Sequence, residues 1–162
     1  MKSFRNVLAG LLGAAAILAA LPAPTLADPL TVEFPSLGAE AQTEPVDVQD
    51  GQLGVPDDPD RLGVYQLDGN MLVVGHVDWA GQRRLFADVR SFQPGEPIWL
   101  SDGRTYHVAW SKTLPIDADD AEWTAAFAPA DDVLTLVTCG GPFSISRHEY
   151  LERIVIRAVR DG

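Results

Sequence analysis

Val133-Leu134-Thr135-Leu136-Val137-Thr138-Cys139-Gly140-Gly141 is an apolar, β-branched run that ends on a cysteine and two glycines. Val, Ile and Thr fit a pleated strand better than a helix. Two glycines at the end of such a run let the backbone turn sharply and let another chain come close. The segment therefore reads as a strand, Val133–Thr138, that delivers Cys139 to the rim of a sheet. Cys139 is the one cysteine among 162 residues. It has no partner for an internal disulfide, and in an exported chain an unpaired thiol suggests a use, as a nucleophile.

The runs on either side repeat the pattern. Leu30–Phe34, Met71–Val77, Leu85–Val89, Pro97–Leu100, Thr105–Trp110 and Ile154–Val159 are short and apolar or alternating. Turn signals separate them, among them Gln93-Pro94-Gly95, Ser101-Asp102-Gly103 and the Gly-, Pro- and Asp-rich stretch Gly51–Arg61. Ile116–Ala130, rich in Asp and Ala, suits a short helix or a loop. No internal repeat and no long helical period is present. The fold expected is all-β, with about eight strands closing into a barrel.

The start of the chain has a different character. Lys2 and Arg5 precede a charge-free apolar run from Val7 to Leu21, then Pro22, Pro24 and the small-residue exit Thr25-Leu26-Ala27. That is signal-peptide anatomy, and the apolar run is shorter than the roughly 20 residues of a spanning helix. Residues 1–27 are expected to be a signal peptide, or else an uncleaved anchor, and residues 28–162 one extracytoplasmic domain. Residues 1–27 carry two of the 12 Lys and Arg and none of the 23 Asp and Glu. The remainder holds ten basic against 23 acidic residues, a formal charge of −13. Such a surface argues against nucleic acid or anionic lipid as ligand and tolerates a cationic amine. Contact with the membrane is expected only through the N-terminal segment.

A cysteine nucleophile acts as thiolate. It needs a proton partner, usually histidine, and a group to hold charge on the substrate carbonyl. His76 sits at the exit of the apolar run Met71–Val77, a setting like that of Cys139, so two strand ends meeting at one barrel mouth would join them. His107 lies in the alternating run Thr105–Val108 and reads as mid-strand. His148 lies in the polar stretch Ser144–Glu149 and reads as a solvated loop residue. For the fixed positive charge, Arg153 and Arg157 share one face of the last strand by alternation, with Arg147 as the loop rival. Spacing puts Arg153 only slightly ahead.

The segment Thr135-Leu136-Val137-Thr138-Cys139 resembles the Thr-Leu-x-Thr-Cys signature of sortases, the cysteine transpeptidases of bacterial cell surfaces. Gly75-His76-Val77-Asp78 is similar to the histidine segment of that family in its class F form, and Arg153 occupies the family's arginine position. Phe34–Ala39, Val55–Tyr65 and Gln93–Ile98 resemble other family segments, so the likeness covers nearly all of Leu30–Arg160. Departures fall at Phe34-Pro35, at Trp79–Arg84 and in Gly140–Tyr150, places that bear on substrate sequence.

The resemblance implies an eight-stranded sortase barrel. It implies that Cys139 attacks the Thr carbonyl of a Leu-Pro-x-Thr-Gly-like sorting signal to form an acyl-thioester. His76 would serve as general acid and base, Arg153 would hold substrate and oxyanion, and Thr138 would help shape that pocket. The partners implied are surface proteins bearing the signal and an amine from peptidoglycan or a pilin lysine. No cofactor is expected. Asp57-Asp58-Pro59-Asp60 and Asp117–Glu122 have the composition of calcium loops, which some sortases use, but carboxylates beside prolines read as solvated turns. Two other readings meet specific residues that speak against them. An L,D-transpeptidase would carry histidine two residues before the nucleophile, where this chain has Val137. A non-catalytic or mainly hydrolytic surface module would be marked by loss of Cys, His or Arg, and all three are present.

Overall fold

A computed structural model describes residues 29–49 and 52–161. The segment 1–27 lies outside the described residues. Among these, no helix is long and apolar enough to cross a membrane. The strands are β1 (Thr31–Phe34), β2 (Ala39–Pro45), β3 (Val48–Gln49), β4 (Gln52–Leu53), β5 (Leu62–Leu67) and β6 (Asn70–Val74). They continue as β7 (Asp78–Trp79), β8 (Gln82–Arg83), β9 (Pro97–Leu100), β10 (Thr105–Pro115), β11 (Val133–Ser144) and β12 (Glu149–Arg160). One α-helix, α1 (Asp120–Phe127), lies between β10 and β11.

Eight strands close into a barrel in the order β1-β2-β5-β6-β11-β12-β10-β9, as the sequence leads one to expect. The pairs β2–β5 and β6–β11 are parallel and the rest antiparallel. β3–β4 and β7–β8 are separate two-stranded hairpins. Period-two alternation fills the interior: Val32 and Phe34, Met71 and Val73, Leu134 and Leu136, Ile154, Ile156 and Ala158 all join one buried core. Burying a side chain of this size stabilises by about 1.5–3 kcal/mol.

The opposite faces of β11 and β12 are covered too. Val155 packs with Leu114 and Ala126 in a second cluster, to which Trp123 and Phe127 of α1 contribute. Helix α1 starts where the Asp119 side chain accepts from the Glu122 amide at 2.9 Å. It stops before Ala128-Pro129, since the residue before proline disfavours helical backbone. Arg157 closes that end, donating to the Ala128 carbonyl at 2.8 Å and the Ala126 carbonyl at 3.4 Å. Its burial pushes the guanidinium pKa below the usual value.

Three local expectations are corrected. Leu85–Val89 is not a strand but two 3-10 turns, Leu85–Ala87 and Val89–Ser91. Phe86, Val89 and Phe92 are all buried, and their spacing of three is the period of a 3-10 helix. The barrel instead recruits β2 and β5, which the sequence reading did not count as strands. The strand expected over Val133–Thr138 does not stop there: β11 and β12 run on past Cys139 as a paired hairpin to Ser144 and Glu149.

Candidate functional site

β11 lies between β6 and β12, and the two pairings assemble the site. The parallel register sets Val137 beside Val74, and the Gly75 amide donates to the Val137 carbonyl at 3.4 Å, one residue further. His76, just past the end of β6, therefore stands level with Cys139, which lies within β11. Across the antiparallel pair, Cys139 stands directly opposite Arg153. By alternation both belong to the outer face of the barrel wall, with Val137 and Val155, while Thr138 turns inward. All three expected residues meet at one rim. Arg157, which shares the face of Arg153, is taken up by the carbonyls of α1, and Arg147 pairs with Glu149 at 3.2 Å.

The glycines after the cysteine are sterically required. A Cβ on Gly140 would stand 2.9 Å from Ile154 Cγ1. Gly141 has φ +70°, and a Cβ there would meet the Glu152 side chain at 2.5 Å. A bulge follows, in which pairing passes from Gly140–Glu152 to Phe143–Tyr150. The strand bends just past the thiol.

Thr138 is 3 % exposed, and its hydroxyl donates to the Gly75 carbonyl at 2.7 Å. The contact is with backbone inside the wall and ties β11 to the residue that precedes His76. The His76 Nε2 lies 3.0 Å from the Pro56 carbonyl. A carbonyl only accepts, so Nε2 is the donor in this contact, and Nδ1 is the ring nitrogen left for another partner. The Trp79 ring stands 4.9 Å from the imidazole. Arg153 Nη1 donates to the Tyr150 and Glu152 carbonyls at 2.9 and 3.0 Å, which leaves its other N–H groups for a ligand oxygen.

Burial is the main influence on the Cys139 thiol and pushes its pKa up, because the thiolate loses solvation. The Arg153 cation acts the other way, and the Asp78 and Glu149 carboxylates raise it further. Chemically, a thiol, an imidazole and a guanidinium can serve as nucleophile, proton carrier and anion clamp, the components acyl transfer needs.

Asp78 and Tyr150 were not singled out from the sequence. The Tyr150 hydroxyl donates to Asp78, and that bond raises the Tyr150 pKa. Adjacency of Asp78 to the strand-exit histidine was the one sequence signal. His107 lies in β10, with Nδ1 2.6 Å from Asp161, and His148 sits at φ +56° in the hairpin turn. Of the acidic stretches, Asp58 pairs with Arg61, Asp60 with Arg84, and Asp119 caps α1. Among the described residues, no group of three or more His, Cys, Asp and Glu is arranged to hold a metal ion.

The sortase domain family model matches residues 38–161. The chain belongs to the sortase family. Solved sortases share its fold. Sortase A from Corynebacterium diphtheriae is 20% identical, with a TM-score of 0.61 over 83% of this chain and 60% of that one. Sortase A from Listeria monocytogenes is 19% identical, with a TM-score of 0.60 over 82% and 86%. Sortase C from Clostridium perfringens, solved with the C-terminal cell wall sorting motif, is 22% identical, with a TM-score of 0.58 over 82% and 69%. The chain thus spans 60% of the Corynebacterium enzyme, and at these identities the likeness concerns the fold. No curated protein matches the sequence.

Proposed function

We propose that this sortase is a cysteine transpeptidase of the class F-like branch, acting outside the cytoplasm on proteins with a Leu-Pro-x-Thr-Gly-like C-terminal signal. Family membership implies cysteine transpeptidation of sorting signals at the cell surface. The observation that carries the reading for this chain is the register: Cys139 opposite Arg153 and level with the exit of His76. The class assignment rests on Gly75-His76-Val77-Asp78 and Val55–Tyr65.

In this scheme the Cys139 proton passes to His76 Nδ1 and the thiolate attacks the Thr carbonyl. Arg153 N–H groups receive the charge that develops on oxygen. The imidazolium returns its proton to the departing glycine amine, and the C–N bond breaks to leave a thioester. A second amine, from a peptidoglycan cross-bridge or a pilin lysine, gives its proton to His76 and displaces the thiolate. Water in its place gives hydrolysis. The scheme needs no metal or cofactor, and residues 1–27 would direct export. Residues 28–162 with a Leu-Pro-x-Thr-Gly-type peptide should yield a thioester seen by mass spectrometry and, with added amine, a transfer product. Cys139→Ala should give neither, and full turnover by that variant would overturn the scheme.

A further inference from the structure

Two arms leave the barrel at the site. One runs from Gly75 through His76 into the β7–β8 hairpin, whose base is closed by the Arg84 amide donating to the Val77 carbonyl at 2.9 Å. The other is the β11–β12 hairpin beyond Cys139 and Arg153. Among the described residues, one side-chain hydrogen bond joins them, from the Tyr150 hydroxyl to Asp78. Tyr150 therefore works in two directions. Its carbonyl accepts from Arg153 at 2.9 Å, and its hydroxyl holds a residue two places beyond His76. The Phe143 ring lies edge-on to the Tyr150 ring at 5.2 Å and 74°, which fixes where the hydroxyl points. On the other arm Trp79, the residue after Asp78, lies against the His76 imidazole.

We infer that the Tyr150–Asp78 hydrogen bond is a strut that sets the histidine arm against the cysteine–arginine arm, making Tyr150 and Asp78 positioning residues for acyl transfer. The inference rests on the proposed roles of Cys139, His76 and Arg153. Both residues lie at the surface end of the site, Asp78 exposed and Tyr150 partly so, and outside the buried core. Removing the strut should spare the fold and loosen the alignment of proton carrier and nucleophile. A misplacement on the order of 1 Å costs up to about a hundredfold in rate.

The test is a double-mutant cycle of Tyr150→Phe and Asp78→Ala, read as single-turnover thioester formation at saturating peptide. Each single change should slow the step by about tenfold or more with KM within about twofold, and the double variant should be no slower than the slower single one. Asp78→Asn keeps an acceptor oxygen without the charge and should recover most of the rate. Charge can be separated from geometry through the pH profile of Cys139 alkylation. The groups bearing on that thiol are Arg153, Asp78, Glu149 and, through its own titration, Tyr150. Both Asp78 variants should move the profile to lower pH, so a rate loss shared by Tyr150→Phe and Asp78→Ala but absent in Asp78→Asn belongs to the bond. Wild-type rates in Tyr150→Phe, or losses that multiply in the double variant, would overturn the strut. Failure of the wild type to form any thioester would instead overturn the proposed function, and the strut with it.

Discussion

Thr138→Val is the sharpest probe of how the wall supports the site. The exchange keeps the shape of the side chain and removes its hydroxyl, so it opens almost no cavity. What is lost is the 2.7 Å hydrogen bond to the Gly75 carbonyl, made by a residue 3 % exposed. A buried acceptor left without its donor costs about 1–3 kcal/mol. For a domain of this size that corresponds to a fall in Tm of roughly 3–10 °C. Thr138→Ser is the control, because it keeps the hydroxyl and loses one methyl, for about 1 kcal/mol. The two variants separate in catalysis. Gly75 precedes His76 in the chain, so a freed carbonyl lets the histidine shift, and thioester formation should fall about tenfold in Thr138→Val. Thr138→Ser should stay near the wild-type rate. Thermal melts by circular dichroism and quenched-flow acylation give both readouts. The reasoning fails if Thr138→Val matches the wild type in both, or if the serine variant loses more rate than the valine one.

Three further outcomes are expected. The Arg153 cation lowers the Cys139 pKa, so Arg153→Met should move the alkylation profile to higher pH. Thiolate is the reacting form, and without the cation it appears later in the titration; a profile that stayed put would remove the electrostatic role. Gly75→Ala would place a Cβ 2.7 Å from the buried Phe86 ring and 2.9 Å from Leu62. Overpacking of that kind costs about 1–3 kcal/mol, visible as a lower urea midpoint with unchanged m. Arg157→Met would leave the Ala126 and Ala128 carbonyls without their donor, and amide exchange in α1 should quicken while thioester formation holds.

The site was more legible in the sequence than the strands around it. Cys139 and His76 both end runs of apolar residues, and the end of such a run leaves a local mark. β2 leaves almost none: Glu40, Gln42 and Glu44 lie on its outward side and Thr43 is its one fully buried residue. β5 is interrupted by Gly63, which reads like a turn but is a packing requirement. A Cβ there would stand 2.6 Å from both Val46 and Val74. Leu85–Val89 misled because a short apolar run with a period of three looks extended when only five residues are weighed. The Tyr150–Asp78 bond joins residues 72 apart, and nothing local in either segment announces it.

The convergence at Cys139 follows from the direction of its two neighbours. A parallel neighbour runs the same way as β11, so the chain leaving β6 brings His76 to the level of the cysteine. An antiparallel neighbour runs back along β11, and the register of β12 sets Arg153 opposite the cysteine. Were β6 antiparallel to β11, its exit would lie at the far end of the barrel, and no loop rearrangement of a few residues would return the histidine. Alternation then divides the labour between consecutive residues. Thr138 faces the interior and ties β11 to the exit of β6, and Cys139 faces outward and is only partly buried. A slip of one residue in either pairing would exchange those faces, burying the thiol and exposing the tie. The buried residues of β11 and β12, Leu134, Leu136, Ile154 and Ile156, resist that slip, because it would turn them all to the outer face. The core that makes the barrel therefore also fixes which residue of the Thr138-Cys139 pair can act.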